Sequence, residues 1–416
     1  MSRREGEWRS ELKFSERMDT IMQMTEHISS SEDIDSMTAR QEAQSIETEI
    51  FQAASSEQEY DELLERRLQE IIASSKRPQT YDPTPASSRP EVRGTLPTHA
   101  PALPTKLIGE YTATYHASGT FSTVYKAPDL SSPTRILALK VTHPSQSHPP
   151  HNPHREIRIL NTTAHPSVIA LLSTFSVPSS SLVLTFPFMP LDLATFLSSA
   201  PPHLKKNTIF KSQLRSHLHS LFRALAHIHS LGIIHRDIKP SNILLASPSG
   251  PAYLADFGIA YQAHDPASEP PNEKITDVGT TCYRPPELLF GCTTYGPALD
   301  LWAAGCVVAE AVGVRHPFHD GSELFDAGPA GSELGLIKSI FETLGTPNDE
   351  TWPEARAFSA WGKMQFKVYA GLSWEEVLPE AEEGARDLVG RLVRFESGER
   401  ASAGECLGCR FFGGVD

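Results

Sequence analysis

The sequence is short of several things. No run of about 18 apolar residues occurs in its 416 residues, so no transmembrane helix is expected and no membrane is expected as a partner. The opening MSRREGEWRSELKF is charged and lacks the apolar stretch of a secretory signal. Cysteines number only 5, a small and odd count that gives no sign of a disulfide framework. Cys406 and Cys409 form a C-x-x-C, but no second pair or histidine cluster completes a zinc site, so free thiols are expected. Positive charge is also scarce: 37 Lys and Arg face 51 Asp and Glu, a net charge of -14. That balance argues against nucleic acid or an anionic surface as the partner. What remains, 39% hydrophobic and 21% charged residues, suits a soluble globular protein with a polar tail.

The composition shifts twice along the chain. Residues 1–77 carry 18 acidic and 10 basic side chains and read as an acidic tail, for the most part disordered. Leu64, Leu68, Ile71 and Ile72 fall on one helical face near residues 60–74, either a marginal helix or an interaction helix. Residues 78–106 hold 7 prolines and read as a semi-extended linker. From 107 onward short strand-like runs appear at 111–115, 123–127, 136–141 and 182–186. After about residue 200 the period becomes helical, and Leu214, Leu218, Leu221, Phe222, Leu225 and Ile228 form one stripe. Strands followed by helices predict an α+β fold in two lobes.

Two stretches carry chemistry: HRDIKPSNILL (235–245) and ADFG (255–258). Together they resemble the protein kinases, and the resemblance covers 107–412. It implies the bilobal kinase fold, with a small β-rich lobe at 107–188 and a large helical lobe at 189–412. Phosphoryl transfer asks a protein mainly to position reactants and neutralise phosphate charge. By the resemblance, Asp237 accepts the proton of the acceptor hydroxyl and Lys239 meets the γ-phosphate. Asn242 and Asp256 offer the hard oxygens that suit Mg²⁺. Lys140, in LALKV, meets the α- and β-phosphates of ATP and pairs with Glu156 of HREIRIL. The stretches 165–172 and 182–193 resemble the fourth and fifth strands and the hinge. Phe186 is then the gatekeeper, Pro187 offers a carbonyl to the adenine, Met189 offers an N–H, and Asp192 borders the nucleotide. Glu287 with Arg400, and Asp300, take structural roles.

The stretch ASGTFSTVYKA (117–127) resembles the glycine-rich phosphate clamp, and Val124 within it is the family's valine after the loop. Only Gly119 of three expected glycines is present; Ala117 and Ser122 fill the outer positions. A working but looser clamp with a raised KM for ATP is expected.

Arg284 before Pro-Pro-Glu and the stretch LGTPNDETWPEA (344–355) are similar to the cyclin-dependent-kinase-like serine/threonine kinases, although Pro285 replaces the usual alanine. This implies ATP and Mg²⁺, a protein substrate presenting Ser or Thr, a cyclin or a cyclin-dependent kinase as partner, and a place in the nucleus or cytoplasm. Two departures stand out. HNPHRE (151–156) replaces the family's cyclin-contacting P-S-T-A-I-R-E, sparing Arg155 and Glu156. Thr276 lies near the usual activating phosphosite, with Ile275 at the gapless position. Arg155 and Arg236 are present to receive a phosphate, but Tyr261 replaces the third arginine. Three readings stay open: a cyclin-bound kinase, a single-subunit kinase similar to the fungal ones that activate cyclin-dependent kinases, and a pseudokinase scaffold.

Overall fold

Alternation along ILALKVT builds the small lobe. Leu137 and Leu139 are buried on one face of their strand, which turns Ala138 and Lys140 to the other face. The buried pair packs with Ile108, Ala113, Ala127 and Val183 into a compact core. The remaining strands continue this core in an antiparallel sheet of order β1-β2-β3-β4-β6-β5. They are β1 (Thr105–Ile108), β2 (Tyr111–Ser118), β3 (Ser122–Pro128), β4 (Ile136–Thr142), β5 (Ser173–Val177) and β6 (Ser181–Pro187). This is a computed structural model. It describes residues 105–414, apart from Thr120, 179–180, Asp320 and 329–330, together with scattered positions between Ile21 and Leu68.

One helix joins the small lobe. Helix α1 (Pro153–Thr162) starts at Asn152, whose side chain accepts from the Arg155 N–H, with proline at the first helical position. Its inward face buries Arg155, Glu156, Ile159 and Leu160.

The large lobe is helical. In α2 (Thr208–Ser230) the predicted stripe is buried from Leu214 to Ile228. Helix α3 (Ala298–Val312) is buried on almost every side, as an apolar helix must be when it forms the centre of a large core. Helix α4 (Glu333–Leu344) contributes to the same core, and α5 (Glu383–Leu392) packs directly on α3. The lobe also carries short strands: β7 (Leu191–Asp192), β8 (Ile233–Ile234), β9 (Ile243–Leu245), β10 (Ala252–Leu254) and β11 (Tyr261–Gln262). They pair as β10-β9-β7 and β11-β8, and so fix the loops at 235–242 and 255–260.

Two expectations are corrected. The first strand begins at Thr105, inside the stretch read as linker. The apolar run at 165–172 is not a strand; it makes a single bridge, Val168 to Leu254, and the strand is β5 just after it. Val168 and Ile169 are buried instead in the core they share with the large lobe. A short apolar run has no period that separates the two outcomes.

Residues 1–98 form a separate unit. Its described positions include helical residues from Ile21 to Leu68, with a small cluster of Ile21, Met24, Ala43, Ala54, Tyr60 and Leu64. The Tyr60 hydroxyl donates to Glu47 at 2.7 Å. Leu64 and Leu68, two residues of the expected apolar face, pack in that cluster. Ile71, Ile72 and the linker at 78–104 lie outside the described residues.

Candidate active site

The catalytic loop hangs from one buried carboxylate. Asp300, at the start of α3, accepts the N–H of His235 at 2.8 Å, that of Arg236 at 2.9 Å, and His229 Nε2 at 2.9 Å. Burial opposes its ionisation, but the His229 hydrogen bond and the nearby histidine charge prevail and hold it below the usual carboxylate range. His235 donates from Nε2 to the Ala255 carbonyl at 3.0 Å, linking the 235–242 loop to the strand before Asp256. Arg236 has φ 72 and Asp256 φ 65, left-handed values for non-glycine residues that cost about 1 kcal/mol or more each and persist only under such restraint.

Asp237 sits beyond this hook. Its Oδ1 accepts from the Thr280 N–H at 3.0 Å and hydroxyl at 2.9 Å. Its Oδ2 meets Lys239 Nζ at 2.9 Å and Asn242 Nδ2 at 3.0 Å. Lys239 Nζ also donates to Thr280 Oγ1 at 2.8 Å. The carboxylate is thus aimed by three neighbours. Thr280 follows Gly279, which has φ +78 and lies so close to the loop that a Cβ there would stand 2.6 Å from the Arg236 carbonyl oxygen.

Across the cleft, Lys140 Nζ lies 2.7 Å from Glu156 Oε1 and 2.7 Å from Asp256 Oδ1. Burial works against the ammonium, but the two carboxylates outweigh it and raise the lysine above its ordinary value. The Lys140 charge in turn holds Asp256 well below the usual range. Gly258 leaves room for this cluster: a Cβ there would lie 3.3 Å from Asp256 Oδ1 and 3.6 Å from Glu156 Oε2. The Gly258 carbonyl accepts the Asn152 N–H at 3.0 Å, which ties the first turn of α1 to the loop after Asp256.

The clamp loop is a hairpin between β2 and β3 in which Ala117 faces Val124, after a register shift at Tyr115. Val124 in turn faces Lys140. Gly119 spends its N–H on the Ser122 carbonyl at 2.8 Å, closing the turn. A Cβ on Gly119 would make only ordinary contact with Ser122, so the fold itself does not demand glycine there. The Phe121 ring leans on His151, with ring centroids 4.5 Å apart. Phe186 is buried opposite Ala138, and Pro187 opposite Leu137. The Phe188 N–H is taken by the Ile136 carbonyl at 3.1 Å. Met189 packs on the large-lobe core. Asp192 Oδ1 caps the helix Leu193–Ser199 by accepting the Thr195 N–H at 2.7 Å. The cleft between clamp and catalytic loop has a volume of about 170 Å³ and is lined by Gly119, Lys140, Asp237, Lys239 and Asp256 among others.

Three lining or supporting groups escaped the sequence reading. Thr280 could have been found from its place after a glycine in GTTCYRPPE. His151 lines the cleft beside Asn152, and burial lowers its pKa. Glu269 takes up one of the two arginines expected to receive a phosphate: its carboxylate meets Arg236 Nη1 at 2.9 Å and Nη2 at 3.0 Å. Thr276, by contrast, makes a local turn, with its carbonyl accepting the Val278 N–H.

Residues 117–412 match the family described as protein kinase domain. The chain belongs to the protein kinase family. The kinase is 35% identical to the serine/threonine-protein kinase csk1 of Schizosaccharomyces pombe, over 67% of this chain and 87% of that protein. It is 35% identical to cyclin-dependent kinase 7 of Xenopus laevis, over 71% of this chain and 78% of that protein. It is 32% identical to cyclin-dependent kinase 20 of Pongo abelii, over 63% of this chain and 70% of that protein. These relatives place the kinase in the cyclin-dependent-kinase-like serine/threonine group, as its motifs implied. It uses ATP and acts on protein substrates.

Proposed function

We propose that this kinase works as a single chain, without a cyclin, and transfers the γ-phosphate of ATP to serine or threonine in a protein substrate, a cyclin-dependent kinase among the candidates. The observation that carries this reading is the closed Lys140–Glu156 pair, because α1 is held in place by contacts of the chain itself. Asn152 is bonded to Gly258, Arg155 to the Ala267 carbonyl at 3.0 Å, and Arg158 to Asp265 at 2.6 and 2.8 Å. The retained Arg155 and Glu156 of HNPHRE serve these inward contacts.

In this reading the acceptor hydroxyl oxygen bonds to the γ-phosphorus, the bond from that phosphorus to the β,γ-bridging oxygen breaks, and ADP leaves. The hydroxyl proton passes to Asp237, whose orientation is set by Thr280, Lys239 and Asn242. Lys239 presents its charge to the γ-phosphate, and Lys140 to the α- and β-phosphates. Ala117, Gly119, Ser122 and Val124 cover the phosphates, and Phe186, Pro187, Met189 and Asp192 border the adenosine. A divalent ion fits the donor set. Asn242 commits its Nδ2 to Asp237, so its Oδ1 remains as a hard donor, and Asp256 shares one carboxylate oxygen with Lys140 and has a half-exposed side chain. Mg²⁺, when bound, would neutralise phosphate charge.

The test is phosphate transfer from ATP and Mg²⁺ to histone H1 and to an unphosphorylated cyclin-dependent kinase, with no cyclin added. Transfer that disappears in Asp237→Asn supports the reading. Transfer that survives in Asp237→Asn, or that appears only with cyclin, overturns it.

A further inference from the structure

The receiver for an activating phosphate is already filled. Arg236 precedes Asp237 in the chain, is fully buried, and has its two terminal nitrogens bonded to both oxygens of Glu269. This fork-to-fork geometry is the one arginine makes with a carboxylate or a phosphate. Tyr261 stands where the third arginine was expected, and its ring lies 4.7 Å from the Arg236 guanidinium carbon. The second arginine, Arg155, gives its terminal nitrogens to the carbonyls of Ala267 and Pro150. Two residues before Ala267, Asp265 makes the double bond to Arg158 and also accepts the Ala267 N–H at 2.9 Å. Residues 265–269 are therefore latched to α1 through Arg155 and Arg158, and to the catalytic loop through Arg236.

The charges agree with this occupant. A phosphate brings about -1.5 to -2, which suits a receiver of three cations. Here one cation has been replaced by an aromatic ring, and the occupant brings a single negative charge. Burial pushes the Glu269 carboxyl up, but the hydrogen bonds and charge of Arg236 outweigh it and hold the group below its usual range, so it is ionised at neutral pH.

We propose that Glu269 is a built-in replacement for an activating phosphate, a positioning residue that seats Arg236 beside Asp237 so that the kinase needs no phosphorylation of its activation segment. Glu269 touches no substrate and acts through Arg236. Arg155 Nε and Arg236 Nε have no hydrogen-bond partner among the described residues. A phosphate on Ser268, next to Glu269 in the chain, or on Thr276 is the rival source of anion, and the experiment separates the two.

The inference rests on the kinase reading. The full chain is produced in bacteria, treated with a broad phosphatase, shown by mass spectrometry to carry no phosphate, and assayed on histone H1. Unmodified wild-type protein should keep the kcat of untreated protein. Glu269→Gln should lower kcat by about tenfold to a hundredfold, the size expected when a catalytic group is displaced by about an ångström, with the ATP KM changed less than about twofold. Glu269→Asp should recover part of that kcat, since it restores charge at shorter reach. Loss of wild-type activity on phosphatase treatment overturns the proposal, as does an unchanged kcat in Glu269→Gln. If Glu269→Gln does not fold, the phosphatase arm on wild-type protein still decides. An untreated wild type with no activity on any acceptor would count against the kinase reading; a variant effect that is absent in an active enzyme counts against this inference alone.

Discussion

Two arginine–glutamate pairs hold the activation segment, which runs from Asp256 to Glu287, one nearer its start and one at its far end, and they are built differently. At the far end Glu287 meets Arg400 at 2.6 and 2.7 Å, with Glu287 2% and Arg400 0% exposed. Arg400 is further bonded to the carbonyls of Arg394, Ala298 and Phe395, and lies over the Trp302 ring. At the near end Arg236 is equally buried, but Glu269 is 13% exposed and lies on a loop rather than a helix. The first pair joins α3 and its surroundings to the end of the segment, so its loss is felt by the core. The second joins the segment to the catalytic loop, so its loss is felt by Asp237. The same chemistry gives a structural contact in one place and a positioning contact in the other, because of what lies behind each arginine.

The comparison is broken most sharply by removing the group that only the near pair serves. Asp237→Asn is expected to lower kcat by about a hundredfold to ten-thousandfold while leaving the melting temperature close to wild type, since the residue lies at the cleft and supports no core. Calorimetry on the same sample would detect the contrary case, a coupled loss of fold. Next comes Glu287→Ala. Leaving Arg400 buried and unpaired should cost about 3–5 kcal/mol in denaturant unfolding, with activity per folded molecule largely kept.

A third contact, between them in the segment, sharpens the comparison through pH. The Tyr283 hydroxyl donates to Glu310 Oε2 at 2.7 Å, and burial raises the Glu310 pKa to about 7. The native state then holds a proton that the unfolded state, with an ordinary glutamate, has released. Its contribution is complete below the unfolded value and is lost as pH rises through about 7. Glu310→Gln should therefore raise the melting temperature at pH 8 and change it little at pH 5. The full linkage is at most roughly 3 kcal/mol. The smallest effect belongs to the exposed pair Arg410–Glu383, both 76% exposed at 2.7 Å; Arg410→Ala should give no measurable change in melting temperature.

The sequence was most informative where chemistry dictates residue type at fixed spacing. Asp237, Lys239, Asn242 and Asp256 are marked by the resemblance of HRDIKPSNILL and ADFG to the protein kinases, and the structure gathers them around one cleft with Lys140 and Glu156. The α2 stripe was equally plain, since a helix that buries one face must repeat every three to four residues. Strand β5 was missed because a nearby apolar run competed with it, and β1 because it starts among prolines. Glu269 had no local signal at all. It meets an arginine 33 residues earlier in the chain, and only Tyr261, in place of an arginine, hinted that the receiver had changed. Contacts of that kind are set by tertiary placement, not by pattern.

The central claim is that this chain closes its own active site. The most direct measurement is the steady-state rate of phosphate transfer to histone H1 by the purified chain, titrated with added cyclins. The account predicts a full rate at zero cyclin that stays flat through the titration. A rate near zero that rises with bound cyclin would contradict it.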